Sequence, residues 1–336
     1  MNHRNGIILI SVLWVMVILT AMALGLAKRI YFSSSYTKSV LDLARAQVAV
    51  KSGLSFVIAL IEADADLTYD GLTDIYYNAQ GDLEKGVIQD GVGFTVQAIK
   101  QKQTEWDEET LRYGVDCLNS KLNLNFITKE QTTRIIEIFD VNKEIFAAVL
   151  DWIDPDNDPN NNGEGAEKDF YEDMDMDITP RNGPLQSWNE LFLIKGMTDE
   201  FAKFLRENFT IYGDGRVNIN FAEKNTLLML GFPESLIIKI HRFLRGIDDV
   251  EGTEDDNSIK QYEIFMKDLN EYESIYPEEL SALQKSLPYI NTITTHFGVK
   301  VMPIINNNIY PYYLNAVIER KKEGVTVLRS SEMFGT

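Results

Sequence analysis

The densest chemistry in this chain lies between residues 151 and 178, where eleven carboxylates are accompanied by one base, Lys168. The run opens Asp151-Trp152-Ile153-Asp154-Pro155-Asp156-Asn157-Asp158-Pro159 and continues to Asp169-Phe170-Tyr171. Carboxylates this close repel one another unless water screens them or a cation sits among them. Asp, Asn and backbone carbonyls are hard oxygen donors, of which Ca2+ takes roughly six to eight. The residue types therefore point to Asp154, Asp156, Asp158 and Asp169 as candidate ligands of a calcium ion, with a solvated acidic loop as the alternative. The segment is not an EF-hand. Counted from Asp154, the sixth position, which needs glycine, is Pro159, and the twelfth, which needs a bidentate Glu, is Gly165. A general acid and base pair would use the same side chains, but no sugar-stacking groove can be read beside them.

Other reactive side chains are sparse. Cys117 is the one cysteine, and the three histidines are His3, His241 and His296. They stand far apart and share no ligand spacing, so the sequence shows neither a zinc site nor a nucleophile beside a base. Cys117, next to Val115 and Leu118, reads as a small buried apolar residue. The net charge of −19 and sequence pI of about 4.6 repel nucleic acid and anionic headgroups and attract divalent cations. No catalysis and no nucleic-acid partner are expected.

The elements that must carry the acidic run begin with an apolar stretch. Ile7 to Ala27 holds no charge, and about 20 apolar residues in a helix span a bilayer. A secretory signal cleaved near Ala21-Met22-Ala23 is the alternative. Arg4 on one side and Lys28 with Arg29 on the other leave orientation open. Val40, Leu41, Ala44, Val48, Leu54, Val57, Ile58 and Ile61 then recur at helical spacing, so the helix is expected to continue well past the membrane. A hairpin is predicted over 86–96 with Asp90-Gly91 at its turn, and further strands at 112–118, 297–302, 310–319 and 325–329, with 321–324 as a turn. A sheet begun before residue 118 and finished after 294 makes the middle an insertion.

That middle has an internal echo. Leu122-Asn123-Leu124-Asn125-Phe126 returns as Val217-Asn218-Ile219-Asn220-Phe221, each followed by an amphipathic pattern. Thr128 with Gln131, and Asn220 with Glu223, have capping-box spacing. A duplicated helical unit with its copies packed together is expected. In the second copy, Leu230-Gly231-Phe232-Pro233-Glu234 resembles the turn of a helix-hairpin-helix. The second glycine of a phosphate-binding hairpin is missing and Asp248-Asp249-Val250-Glu251 follows, so the turn reads as packing. A membrane-anchored nucleic-acid-binding module is the competing reading.

Taken in order, the glycine at position 6, Leu13-Trp14-Val15, Lys121-Leu122-Asn123-Leu124-Asn125, the segment from Asp151-Trp152-Ile153-Asp154 to Gly165-Ala166-Glu167-Lys168-Asp169-Phe170-Tyr171, Gly183-Pro184-Leu185-Gln186-Ser187-Trp188-Asn189-Glu190-Leu191 and Val217-Asn218-Ile219-Asn220 resemble the general secretion pathway protein K family, the large minor pseudopilins of type II secretion. The resemblance implies an α+β chain with a pilin-like fold, a long N-terminal helix plus an antiparallel sheet, interrupted by a large α-helical insertion. It divides the chain into a leader (1–6), an N-terminal helix (7–64, with 7–27 in the membrane), a head (65–120 and 291–336) and an insertion (121–290) with two hairpin units. It also implies cleavage after Gly6 by a prepilin peptidase and N-methylation of Ile7. The expected place is the bacterial inner membrane, with the globular part in the periplasm. There the chain would cap and help initiate a pseudopilus of major pseudopilin, beside minor pseudopilins of the I and J types. Calcium is bound in some members. A minor pilin of a type IV pilus or competence system is the nearest alternative. Counted from Ile7, the fifth residue is Ser11, where most pilins place a Glu that neutralises a neighbour's terminal ammonium. An unpaired charge at that depth is costly, and a subunit with no neighbour above it does not need one.

Overall fold

The computed structural model describes residues 3–64, 66–79, 81–100, 110–160, 164–173 and 178–335. Helix α1, His3–Glu62, runs for 60 residues, about 90 Å at 1.5 Å per residue. Gly6 and Ile7 fall within it, but their side chains lie outside the described part. From Ile10 to Val40 its side chains are exposed all round, as those of a segment made to lie in lipid or against other helices would be. Its most apolar window has a mean hydropathy of 2.4, and it is the one helix among the described residues long and apolar enough to cross a membrane. Further along, Ala46, Ala49, Val50, Val57 and Ile61 are buried at helical spacing, and this stripe seats the sheet.

The sheet has strands β1 Gly86–Gln89, β2 Val92–Val96, β5 Asp116–Cys117, β10 His296–Ile305, β11 Asn308–Ile309, β12 Tyr313–Lys321 and β13 Gly324–Met333, with main order β1-β2-β10-β12-β13 and all pairs antiparallel. A separate ribbon pairs β3 Ala98–Lys100 with β4 Thr110–Arg112. Phe297, Val299 and Val301 of β10 and Leu314, Ala316 and Ile318 of β12 point inward onto α1 with strict alternation. The crossing is tight: a Cβ on Gly53 would meet Val301 Cγ1 at 2.5 Å. β2 and β10 are neighbours although nearly 200 residues separate them, so the long middle segment leaves the sheet at β5 and returns at β10. The 112–118 strand is split into β4 and β5 around Gly114, because Gly114 packs on the Tyr77 carbonyl where a Cβ would sit at 1.9 Å.

The middle segment is helical: α2 Lys129–Phe139, α3 Lys143–Ile153, α4 Lys168–Asp173, α5 Asp199–Asn208, α6 Lys224–Met229, α7 Glu234–Leu244, α8 Tyr262–Tyr272 and α9 Pro277–Ser286. The echo in the sequence is an echo in geometry. β6, Leu122–Asn123, pairs in parallel with β7, Phe209–Thr210, and β8, Val217–Asn218, pairs in parallel with β9, Ile290–Asn291. Asn123 Oδ1 accepts from the Asn125 amide at 3.0 Å, and Asn218 Oδ1 from the Asn220 amide at 3.0 Å. Asn125 then clamps the backbone of Leu185, and Asn220 that of Ile259, through both its donor and its acceptor. α2 and α6 pack on each other. The Thr128 box forms with Gln131. The expected Asn220–Glu223 box does not, because Asn220 is buried and its side chain is spent on Ile259 and the Asp70 carbonyl.

Candidate metal centre

The acidic run starts inside α3 and is closed by its own first residue. Asp151, fully buried, accepts at Oδ1 from the Asn160 amide (2.9 Å) and Asn160 Nδ2 (2.7 Å), and at Oδ2 from the Ala166 amide. One carboxylate thus ties both ends of the loop to α3. Gly165 permits the closure, since a Cβ there would lie 1.9 Å from Asp151 Oδ2. Trp152 packs edge-on against Tyr171 at 5.9 Å, and the Tyr171 hydroxyl accepts from the Lys195 amide at 3.2 Å. Lys195 Nζ donates to the carbonyls of Glu164 and Gly165, both at 3.1 Å. From the other side, Asn182 Nδ2 donates to the Asp156 carbonyl (2.9 Å) and to Asn157 Oδ1 (3.0 Å).

Within this frame Asp154, Asp156 and Glu167 offer ligand oxygens within 4.8 Å of one another. Glu167 is 4% exposed, and both its oxygens, with Asp154 Oδ1, are buried without a hydrogen-bond partner. Burial first, then the charges of Asp151, Asp154 and Asp156, push Glu167 up to about 7. Burial also raises Asp154, opposed by donation from Asn160 Nδ2 at 2.8 Å and reinforced by Asp156 and Asp151. Buried polar atoms are normally satisfied, and the three unpartnered oxygens belong to two carboxylates of this cluster, an oxygen-rich donor set of the kind a hard cation takes.

Of the four residues expected from sequence, Asp154 and Asp156 are in the cluster. Asp158 is exposed, with its amide turned onto Asp156 Oδ1 at 2.9 Å. Asp169 is exposed on α4. Neither joins the three-carboxylate group, and Glu167 takes the place that the sequence reading gave to Asp169. Residues 161–163 and 174–177 of the acidic run lie outside the described residues. Ser11 is on the exposed part of α1.

Residues 120–214, which contain this whole centre, match the family model described as Type II secretion system (T2SS), protein K. The chain is 25% identical over 254 residues to Type II secretion system protein K of Klebsiella pneumoniae, covering 71% of this chain and 73% of that one. Its fold is similar to a chain in the crystal structure of the GspK-GspI-GspJ complex from the enterotoxigenic Escherichia coli type 2 secretion system, with a TM-score of 0.58 and 15% identity over 88% of this chain and 99% of that chain. A domain match placed on the acidic loop, a relative aligned over most of its length and a shared fold agree in one likeness: the chain is similar to type II secretion system protein K.

Proposed function

We propose that this protein is a minor pseudopilin that caps the pseudopilus tip and helps initiate it, anchored once in the bacterial inner membrane with its head and insertion in the periplasm, and that it catalyses nothing. The observation that carries this reading is α1, which is exposed and apolar along its first half and bound to a sheet along its second. Such a helix is complete only when other helices lie along it. The related GspK occurs with GspI and GspJ in one crystal structure, which supports I- and J-type pseudopilins as neighbours here. The helical segment at 121–290 is bulk that a tip tolerates and a repeating shaft does not. Gly6 and Ile7 are the cleavage and methylation positions, and Ser11 suits a subunit with none above it.

Asp154, Asp156 and Glu167 would hold Ca2+. The ion would neutralise the three carboxylates and fasten the end of α3 to the start of α4. Full-length protein co-expressed with I- and J-type partners in detergent should co-elute with both, begin at Ile7 by mass spectrometry, and release heat on calcium titration. Elution alone would overturn the assembly reading, and an unprocessed start the leader. No heat at millimolar Ca2+ would overturn the metal site.

A further inference from the structure

We propose that the outer edge of β13 is a docking strand, to which an extended segment from the head of a neighbouring pseudopilin adds as a further strand of the sheet. The proposal rests on the assembly reading above and names the surface that reading leaves open. β13 ends the sheet and is ten residues long. Beyond Val325 it is exposed on both faces, with Leu328 44% and Met333 41% accessible.

The phase of its backbone can be read from one contact. The Val325 amide donates to Glu62 Oε1 at 3.1 Å, so it points away from β12. In an antiparallel ladder, alternate residues turn their N–H and C=O groups outward, which places Val327 in the same sense. The register shift opposite Val317 and Ile318 inserts Leu328 as an extra residue. After it, Ser330 and Glu332 face outward. Among the described residues, no group outside the sheet meets the amides of Val327, Ser330 or Glu332. Exposed edges are ordinarily blunted by Lys, Pro, shortness or a bulge. β13 carries no Lys or Pro, only the bulge, while the opposite edge, β1, is four residues long.

The charged side chains of β13 are already engaged within the chain. Arg329 Nη1 donates to Ser187 Oγ at 3.1 Å, and Glu332 pairs with Lys51 at 3.3 Å. What remains for a partner is main chain flanked by Val327, Leu328 and Met333, a surface that an extended, neutral, apolar segment reads through its backbone. Continuity says whose segment it is. Glu62 and Lys51, which border β13, lie on the exposed flank of α1 with Ser55, Val48, Ala44 and Leu41. A pseudopilin whose helix lies along that flank has its head beside β13.

The test is Ser330→Pro in the full-length chain, with Ser330→Ala as control. Proline removes an outward donor that the intrachain ladder does not use. Ser330→Pro should weaken the complex with I- and J-type partners about tenfold or more, while the control binds like wild type. In the wild-type complex the amides of 330–332 should exchange about tenfold more slowly than in the free chain. Unchanged binding by Ser330→Pro, or no slowing at 330–332 in a complex that does form, overturns the proposal. Should the proline variant misfold, the wild-type exchange measurement still decides. Slowing that appears in the isolated chain as its concentration rises would make the occupant a second copy and overturn the partner assignment. Failure of wild type to assemble at all would instead refute the pseudopilin reading.

Discussion

Two trios of carboxylates in this molecule are equally close, and they are resolved in opposite ways. Asp64, Asp70 and Asp74 offer oxygens within 4.8 Å of one another, as do Asp154, Asp156 and Glu167. The first trio already holds a cation. Arg320 Nη2 lies 2.6 Å from both oxygens of Asp70, its Nη1 is 3.1 Å from Asp64, and the Thr294 carbonyl accepts from it at 2.8 Å. The Tyr76 hydroxyl donates to Asp70 and, at 2.8 Å, to Asp74. In the second trio, three oxygens are buried with no donor. Closeness of acids therefore does not mark an ion site. Unanswered buried oxygens are what the proposed ion would satisfy.

The comparison breaks most visibly at Arg320. Asp70 is fully buried, and removing one partner of a buried pair leaves an uncompensated charge, at a cost of about 3–5 kcal/mol. The network also joins the connector after α1 to Thr294 and to β12, so the loss should spread to the whole head. Arg320→Met is expected to lower the urea midpoint accordingly, with or without calcium. A loss below about 1 kcal/mol would mean that Asp70 does not depend on the guanidinium, and the two trios would no longer be opposites.

The second trio should respond to the ion rather than to the chain. At a calcium concentration a hundredfold above Kd, binding to the folded state adds about 2.7 kcal/mol. Glu167→Gln should lose most of that gain. In chelator it should be as stable as wild type or slightly more so, because it removes a buried carboxyl that already favours its neutral form. Thermal midpoints with and without Ca2+ give both numbers. A variant that still gains the full calcium shift would take Glu167 out of the ligand set.

What could be read in the sequence divides along the same line. Local patterns were legible: Asp90-Gly91 makes the β1–β2 turn with Gly91 at φ 72°, Thr128 caps α2, and the paired asparagines mark both copies of the repeat. β13 is twice the expected length because Ser330 to Met333 have no alternation of their own and are held as strand by β12. Asp154 and Asp156 were found by residue type. Glu167 was not, because its signal is burial, created when Asp151 folds the loop back over Gly165. The glycine was the available clue. Arg320 and Asp70 are 250 residues apart, and nothing local announces such a pair.

The smallest test probes the margin of the filled trio. Burial raises Asp74 to about 6. Donation from the Gly71 amide and the Tyr76 hydroxyl pulls it down, and the charges of Asp70 and Asp64 push it further up. A carboxyl whose folded pKa exceeds its unfolded value of about 3.9 favours the fold in its neutral form. Its contribution is present below about pH 4 and is lost as pH rises towards 6. Asp74→Asn keeps an acceptor for both donors and cannot ionise. Measured in chelator, so that Glu167 titrates alike in both proteins, the variant's midpoint relative to wild type should climb by about 1–2 °C between pH 4 and pH 7. A flat difference would mean that Arg320 neutralises all three carboxylates, and a falling one that Asp74 is held ionised by it. Either result would make the guanidinium a stronger counterion than its contacts with Asp64 and Asp70 alone require.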